Sequence, residues 1–220
     1  MDLYPPPTTF IPPNCQFEVD NVLHTWTWPQ QFDLIHLRLL LGAFTEAEWK
    51  DVYGKCYDAL APGGYIEHVE CDVRIMSDDG SVKPDSLLAK WGDQFIECGK
   101  KAGRPLDIGE SLADKIRAAG FVDVKETVTK APSGHWPKDK KLKEAGRINQ
   151  QHWNAGFEGW AMFLLTKFGA PKPWTPEEVR AYVEKVKAEL KDPRVHPWQW
   201  TYVNFLFFCV MVAISVLVWM

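Results

Sequence analysis

An α/β domain is what this sequence predicts, on three observations. Strand-like and helix-like apolar spacings alternate along the chain, and clusters of Gly, Pro, Asp and Asn separate them. Apolar residues make up 46% and charged residues 25%, the balance of a globular protein rather than a disordered one. At 220 residues the chain can bury one ordinary core.

The elements follow in order. Residues 1–14 are proline-rich and read as extended, because proline cannot donate to a ladder. Phe17–Val19 is a short strand candidate ending at Asp20-Asn21. A second strand starts at Gln31, and its apolar character continues to Leu41. Thr45, with Glu48 three residues on, forms a capping box for a helix reaching about Leu60. Pro62-Gly63-Gly64 stops that helix, and Tyr65–Glu70 is the next strand. Helices over 86–101 and 107–119 follow. In the latter, Ile108, Leu112, Ile116 and Ala119 form one stripe before Gly120. The alternation in FVDVKETVTK predicts a half-buried strand. Residues 137–168 read as an aromatic-rich helix, and Thr175-Pro176-Glu177-Glu178 opens a last one.

Composition excludes several function classes. The net charge of −4 provides no basic field for nucleic acid, and Lys138, Lys140, Lys141 and Lys143 read as a solvated helix face. The five cysteines show neither CxxC nor Cys/His spacing, so no disulfide framework or metal site is expected.

The stretch Tyr202–Met220, YVNFLFFCVMVAISVLVWM, carries no charge. As a helix it would span roughly 28 Å, close to a bilayer core. It therefore reads as a candidate transmembrane anchor over 202–220 behind a domain at 1–200, giving a membrane-associated protein with a cytosolic domain if the tail is genuine and a cytoplasmic or nuclear one otherwise.

Taken in order, Ile11-Pro12-Pro13-Asn14, FEVD at 17–20, FDLIHLR at 32–38, ALAPGGYIEHVE at 59–70 and AAGFVDVKE at 118–126 resemble the LaeA-like methyltransferases of fungi. HWPKDKKLKEAGRINQ and GFEGWAMFLLTKFG extend the resemblance to about residue 200. It implies a Rossmann-like sheet, S-adenosylmethionine as cofactor, and a small metabolite or protein as methyl acceptor. It also implies that Asp2 accepts hydrogen bonds from the ribose hydroxyls and that Asp20 and Asn21 contact the adenine. His36 would stand beside the methionine end of the cofactor, and Glu70 at the mouth of the acceptor pocket.

Methyl transfer needs an aligned acceptor, excluded water and often a base. His36 is the expected base, since histidine is the side chain that titrates near neutral pH. Glu70 would serve if burial made it more basic. Trp91, Trp153 and Trp160 read as helix core rather than as the wall of an acceptor pocket.

The family pattern also has a first strand followed by a glycine-rich loop. Here the sequence starts one residue before the second-strand acid, and none of the 15 glycines forms such a loop. An incomplete Rossmann-like sheet with helical additions and a C-terminal hydrophobic helix is the resulting expectation. As a literal polypeptide it is expected to bind cofactor poorly; the alternative is a non-catalytic, membrane-tethered binding or regulatory module.

Overall fold

The computed structural model describes residues 1, 11–206 and 215–218. Its elements run β1 (Phe32–Arg38), α1 (Glu46–Ala59), β2 (Leu60–Cys71), α2 (Leu87–Ala102), a 3-10 turn (Gly109–Ser111), α3 (Leu112–Ala118), β3 (Val124–Pro132), α4 (Lys140–Phe168), α5 (Pro176–Lys191), β4 (Trp198–Leu206) and β5 (Ser215–Val218). The strands form one open sheet in the order β3-β4-β2-β1-β5. The chain divides into two compact units, residues 1–70, 108–127 and 202–220 in the first, and 71–107 and 128–201 in the second.

In the first unit, β1 and β2 run parallel with α1 between them, the βαβ arrangement from which wound sheets are built. Thr45 caps α1 as expected: the Glu48 amide donates to the Thr45 hydroxyl (3.3 Å) and the Thr45 amide to Glu48 Oε2 (2.7 Å). Pro62-Gly63-Gly64 does not separate helix from strand, however. The strand begins already at Leu60, paired with Phe32, and the glycines make an irregularity inside it. A Cβ on Gly64 would lie 2.9 Å from the Phe32 carbonyl oxygen, so glycine is required where the two backbones close up.

Two sequence expectations change here. Phe17–Val19 is not a strand; Val19 makes only an isolated bridge and is 57% exposed. The helix expected over 107–119 is a 3-10 turn followed by a shorter α3. Gly109 lies against the Tyr202 ring, where a Cβ would come within 2.5 Å of the ring carbons.

The largest correction concerns the apolar tail. Trp198–Leu206 is β4, and Ser215–Val218 is β5, which pairs parallel to β1 from Leu34↔Ser215 to Leu37↔Val218. Residues 207–214 and 219–220 lie outside the described residues. Among the described residues no helix is long and apolar enough to cross a membrane. The expected C-terminal transmembrane helix is therefore overturned, and with it the membrane-associated location and the membrane-tethered alternative. The physical reason is that an uncharged run rich in Val, Phe and Tyr satisfies strand propensity as well as hydropathy.

The second unit is built mainly from helices. Ser86 caps α2 and Gly103, in the left-handed region at φ 69°, ends it. Asp139 caps α4 by accepting from the Lys141 and Leu142 amides, both at 2.9 Å. Val179, Val183, Val186 and Leu190 form the buried stripe of α5. Trp91 of α2 stacks on Phe95 at 4.0 Å, meets Phe157 of α4 edge-on at 4.6 Å and lies parallel to Tyr182 of α5 at 5.9 Å.

Two carboxylates in this unit are more acidic than usual. The Ser81 hydroxyl and amide, with the His196 ring, hold Asp79 well below the ordinary carboxylate range. Arg194 brings Asp192, the residue ending α5, down to about 2 through side-chain and backbone hydrogen bonds. A depressed folded-state pKa adds stability above the unfolded value, near 4, and that stability is lost as pH falls below it. Resistance to urea is expected to fall as the pH drops from about 4 to about 2, with a shallower pH slope in the Asp79→Asn, Asp192→Asn double variant.

Candidate active site

Register decides which polar side chains of the β1–β2 pair meet. His36 lies opposite Glu67, and Leu37 opposite His68. Because side chains alternate along a strand, His36 and Glu67 share one face, while Leu37, His68 and Glu70 share the other.

On the first face, His36 Nδ1 and Glu67 Oε2 are 2.5 Å apart. The two side chains are 14% and 29% exposed, so the pair is sheltered without being sealed. Leu34, Tyr65 and Val69 around it are half-buried, and Tyr65 stacks on Phe205 of β4 at 5.6 Å. A carboxylate accepts and does not donate, so the Nδ1–H of His36 donates to Glu67. That assignment fixes the ring tautomer and leaves the Nε2 lone pair as the basic nitrogen.

On the second face, α1 covers the sheet. The Tyr53 hydroxyl is 2.7 Å from His68 Nδ1, and His68 Nε2 is 3.0 Å from Glu70 Oε1. The same carboxyl oxygen accepts the Leu40 amide at 2.5 Å. His68 and Glu70 are fully buried, and the Trp49 ring lies 5.4 Å from His68. Burial first, then the neighbouring Cys56 and Glu70, holds the Tyr53 phenol well above its ordinary range, so it keeps its proton and donates. Leu39, directly after β1, has φ 54°, a left-handed conformation that costs an L-residue roughly 1–2 kcal/mol. Its amide donates to the Val69 carbonyl at 3.1 Å.

The expected site residues are thus distributed rather than gathered. His36 and Glu70 occupy opposite faces of the sheet, and Glu70 is enclosed in the core instead of lining an open mouth. Asp20 is exposed and Asn21 half-buried at the start of a turn. Asp20 Oδ1 accepts from its neighbour's amide at 2.7 Å and pairs with His24 at 2.8 Å, the His24 bond lowering its pKa most. Asn21 Oδ1 accepts the Leu23 amide at 3.0 Å. Asp2 lies outside the described residues. Sequence reasoning singled out neither Glu67 nor Tyr53 for the site; the signal for Glu67 was its parity with His36 across two parallel strands. Trp91 and Trp153 are buried in helix packing, and Trp160 is partly exposed with its edge on Trp153.

Among the described residues there is no complete cradle for a nucleoside cofactor. The 15 glycines contain no GxGxG-type run, and Asp20 already has local partners. The acid–base pair on β1 and β2 is the chemically equipped part of the site.

The chain is similar to three curated proteins over most of its length. It is 33% identical to methyltransferase pytC of Aspergillus terreus over 195 residues, 89% of this chain and 59% of that protein. It is 35% identical to the secondary metabolism regulator LAE1 of Cochliobolus heterostrophus over 192 residues, 86% of this chain and 61% of that one. The probable methyltransferase tdiE of Emericella nidulans is 30% identical over 203 residues, 91% of this chain and 62% of that one. The chain therefore spans about three fifths of the length of these relatives. Among solved structures, a Haemonchus contortus phosphoethanolamine N-methyltransferase 2 overlaps 87% of this chain and 37% of its own, at 14% identity and a TM-score of 0.43. No family model matches the chain.

Proposed function

Because the chain is homologous over most of its length to the LaeA-like S-adenosylmethionine methyltransferases of fungal secondary metabolism, we propose that it carries the proton-accepting side of methyl transfer to a nitrogen or oxygen of a small metabolite. The observation behind this is the His36–Glu67 pair, held at 2.5 Å on the half-open face of the sheet. Glu67 orients the ring and stabilises the imidazolium formed when Nε2 takes the acceptor's proton. Removing that proton raises the nucleophilicity of the acceptor atom as its new bond forms. Tyr65 and Phe205 offer a flat apolar neighbour for an aromatic acceptor on the same sheet.

This reading leaves the methyl donor few contacts. Asp20 is exposed and Asn21 half-buried, and Oδ1 of each is already engaged by a nearby backbone amide. These 220 residues on their own are thus expected to bind S-adenosylhomocysteine no tighter than about 1 mM. Titration calorimetry on the full chain checks this, and micromolar binding would overturn it. At saturating S-adenosylmethionine, slow methylation of small phenols and amines is expected, falling about 100-fold in His36→Ala. Equal rates in the two proteins would remove His36 from the reaction.

A further inference from the structure

The hydrogen-bonded chain beneath β1 is not used by the chemistry above, yet it ends on the backbone that carries His36. We propose that Tyr53, His68 and Glu70 are positioning residues: a buried relay that holds the carboxyl end of β1 in its left-handed exit and so sets the His36 ring on the opposite face. The inference rests on the reading of His36 as the base and adds the device that orients it.

Direction along the relay is fixed by its donors. The Tyr53 phenol keeps its proton, so it donates to His68 Nδ1, and His68 must carry its own proton on Nε2. That proton goes to Glu70 Oε1, which also takes the Leu40 amide. One oxygen thus ties helix α1, through two side chains, to the second residue beyond β1. Leu39, between Arg38 and Leu40, is held in its strained conformation by two consecutive backbone amides, its own on Val69 and that of Leu40 on Glu70. Strain of this kind persists only where surroundings over-determine it, and it gathers where geometry matters for function. Glu70 Oε2 has no hydrogen-bond partner although it is buried. His68 and Glu70 alternate with Glu67 along β2, and the Leu40 amide that Glu70 holds lies two residues beyond the β1 strand that carries His36, so a shift at that exit moves β1 against Glu67.

Nitrogen-15 NMR on the full chain, with no methyl donor present, tests this. The native protein is expected to show His68 as the Nε2–H tautomer and a slowly exchanging Leu40 amide. In Glu70→Leu no acceptor faces the His68 Nε2–H or the Leu40 amide. Leu40 exchange is then expected to accelerate about tenfold, with a displacement of the His36 ring resonances. Tyr53→Phe removes only the donor at the far end, and about a threefold acceleration is expected, with His68 Nδ1 shifted. A folded Glu70→Leu protein whose Leu40 exchange and His36 resonances match the native ones overturns the proposal. Should that variant not fold, unchanged Leu40 exchange in Tyr53→Phe overturns it. Failure of the methyltransferase reading would appear instead as methylation indifferent to His36, with these spectra unaffected.

Discussion

Replacing Trp91 by alanine is expected to destabilise the protein by about 3–5 kcal/mol, the largest effect of any single change considered. The indole is fully buried and touches all three long helices of the second unit: Phe95 on its own α2, Phe157 on α4 and Tyr182 on α5. Alanine would leave a void bounded by rigid rings, which cannot collapse to fill it. Trp91→Phe separates packing from polarity. The Trp91 Nε1–H is buried with no hydrogen-bond partner among the described residues, a state that costs roughly 1–3 kcal/mol. Phenylalanine removes that donor while keeping a ring, so a loss below about 2 kcal/mol is expected. Urea unfolding followed by tryptophan fluorescence measures both.

The second large effect is expected at Gly146. A Cβ there would stand 2.3 Å from the carbonyl oxygen of Gly134, and the Gly134 amide donates to the Gly146 carbonyl at 2.8 Å. Helix propensity alone would favour alanine by about 1 kcal/mol. Against it, the clash is with backbone that cannot rotate away, costing about 1–3 kcal/mol, and separating the chains also weakens a hydrogen bond contributing about 1 kcal/mol. Gly146→Ala is therefore expected to lose about 1–3 kcal/mol net. Gly54→Ala, in α1 with nothing within 4 Å of its Cβ, is the control and should gain stability. Thermal unfolding of the two variants decides the sign.

Where the sequence carried a local instruction, it could be read. Both capping boxes, at Thr45 and Thr175, formed with their glutamate partners. The expected helices 86–101 and 137–168 match α2 and α4 within a few residues, and α5 starts where Thr175-Pro176 opens it. What was not legible depended on pairing across the chain. FEVD has the composition of a strand, but alternation alone cannot supply a neighbour, and Val19 obtained only a bridge. The apolar tail was read as a helix because hydropathy carries no period, and the ladder beside β1 turned part of it into a strand. The candidate site failed for a related reason. His36 and Glu70 are both strand-end residues, which suggested convergence. Parity between β1 and β2 sends them to opposite faces and brings Glu67 to His36 instead. A one-residue change of register would have reversed that outcome.

The parallel trio β2-β1-β5 has a bearing on how the protein can be handled. With a neighbour on each side, the amides of β1 from Leu34 to Leu37 are spoken for, and the outermost ladder belongs to a strand of only four residues. Short borders of this kind give other molecules little purchase. Trimming the protein before Ser215, as one would to improve solubility by discarding greasy residues, would strip that border. It would hand a seven-residue, β-rich template to the next copy in solution and convert an intended improvement into precipitation.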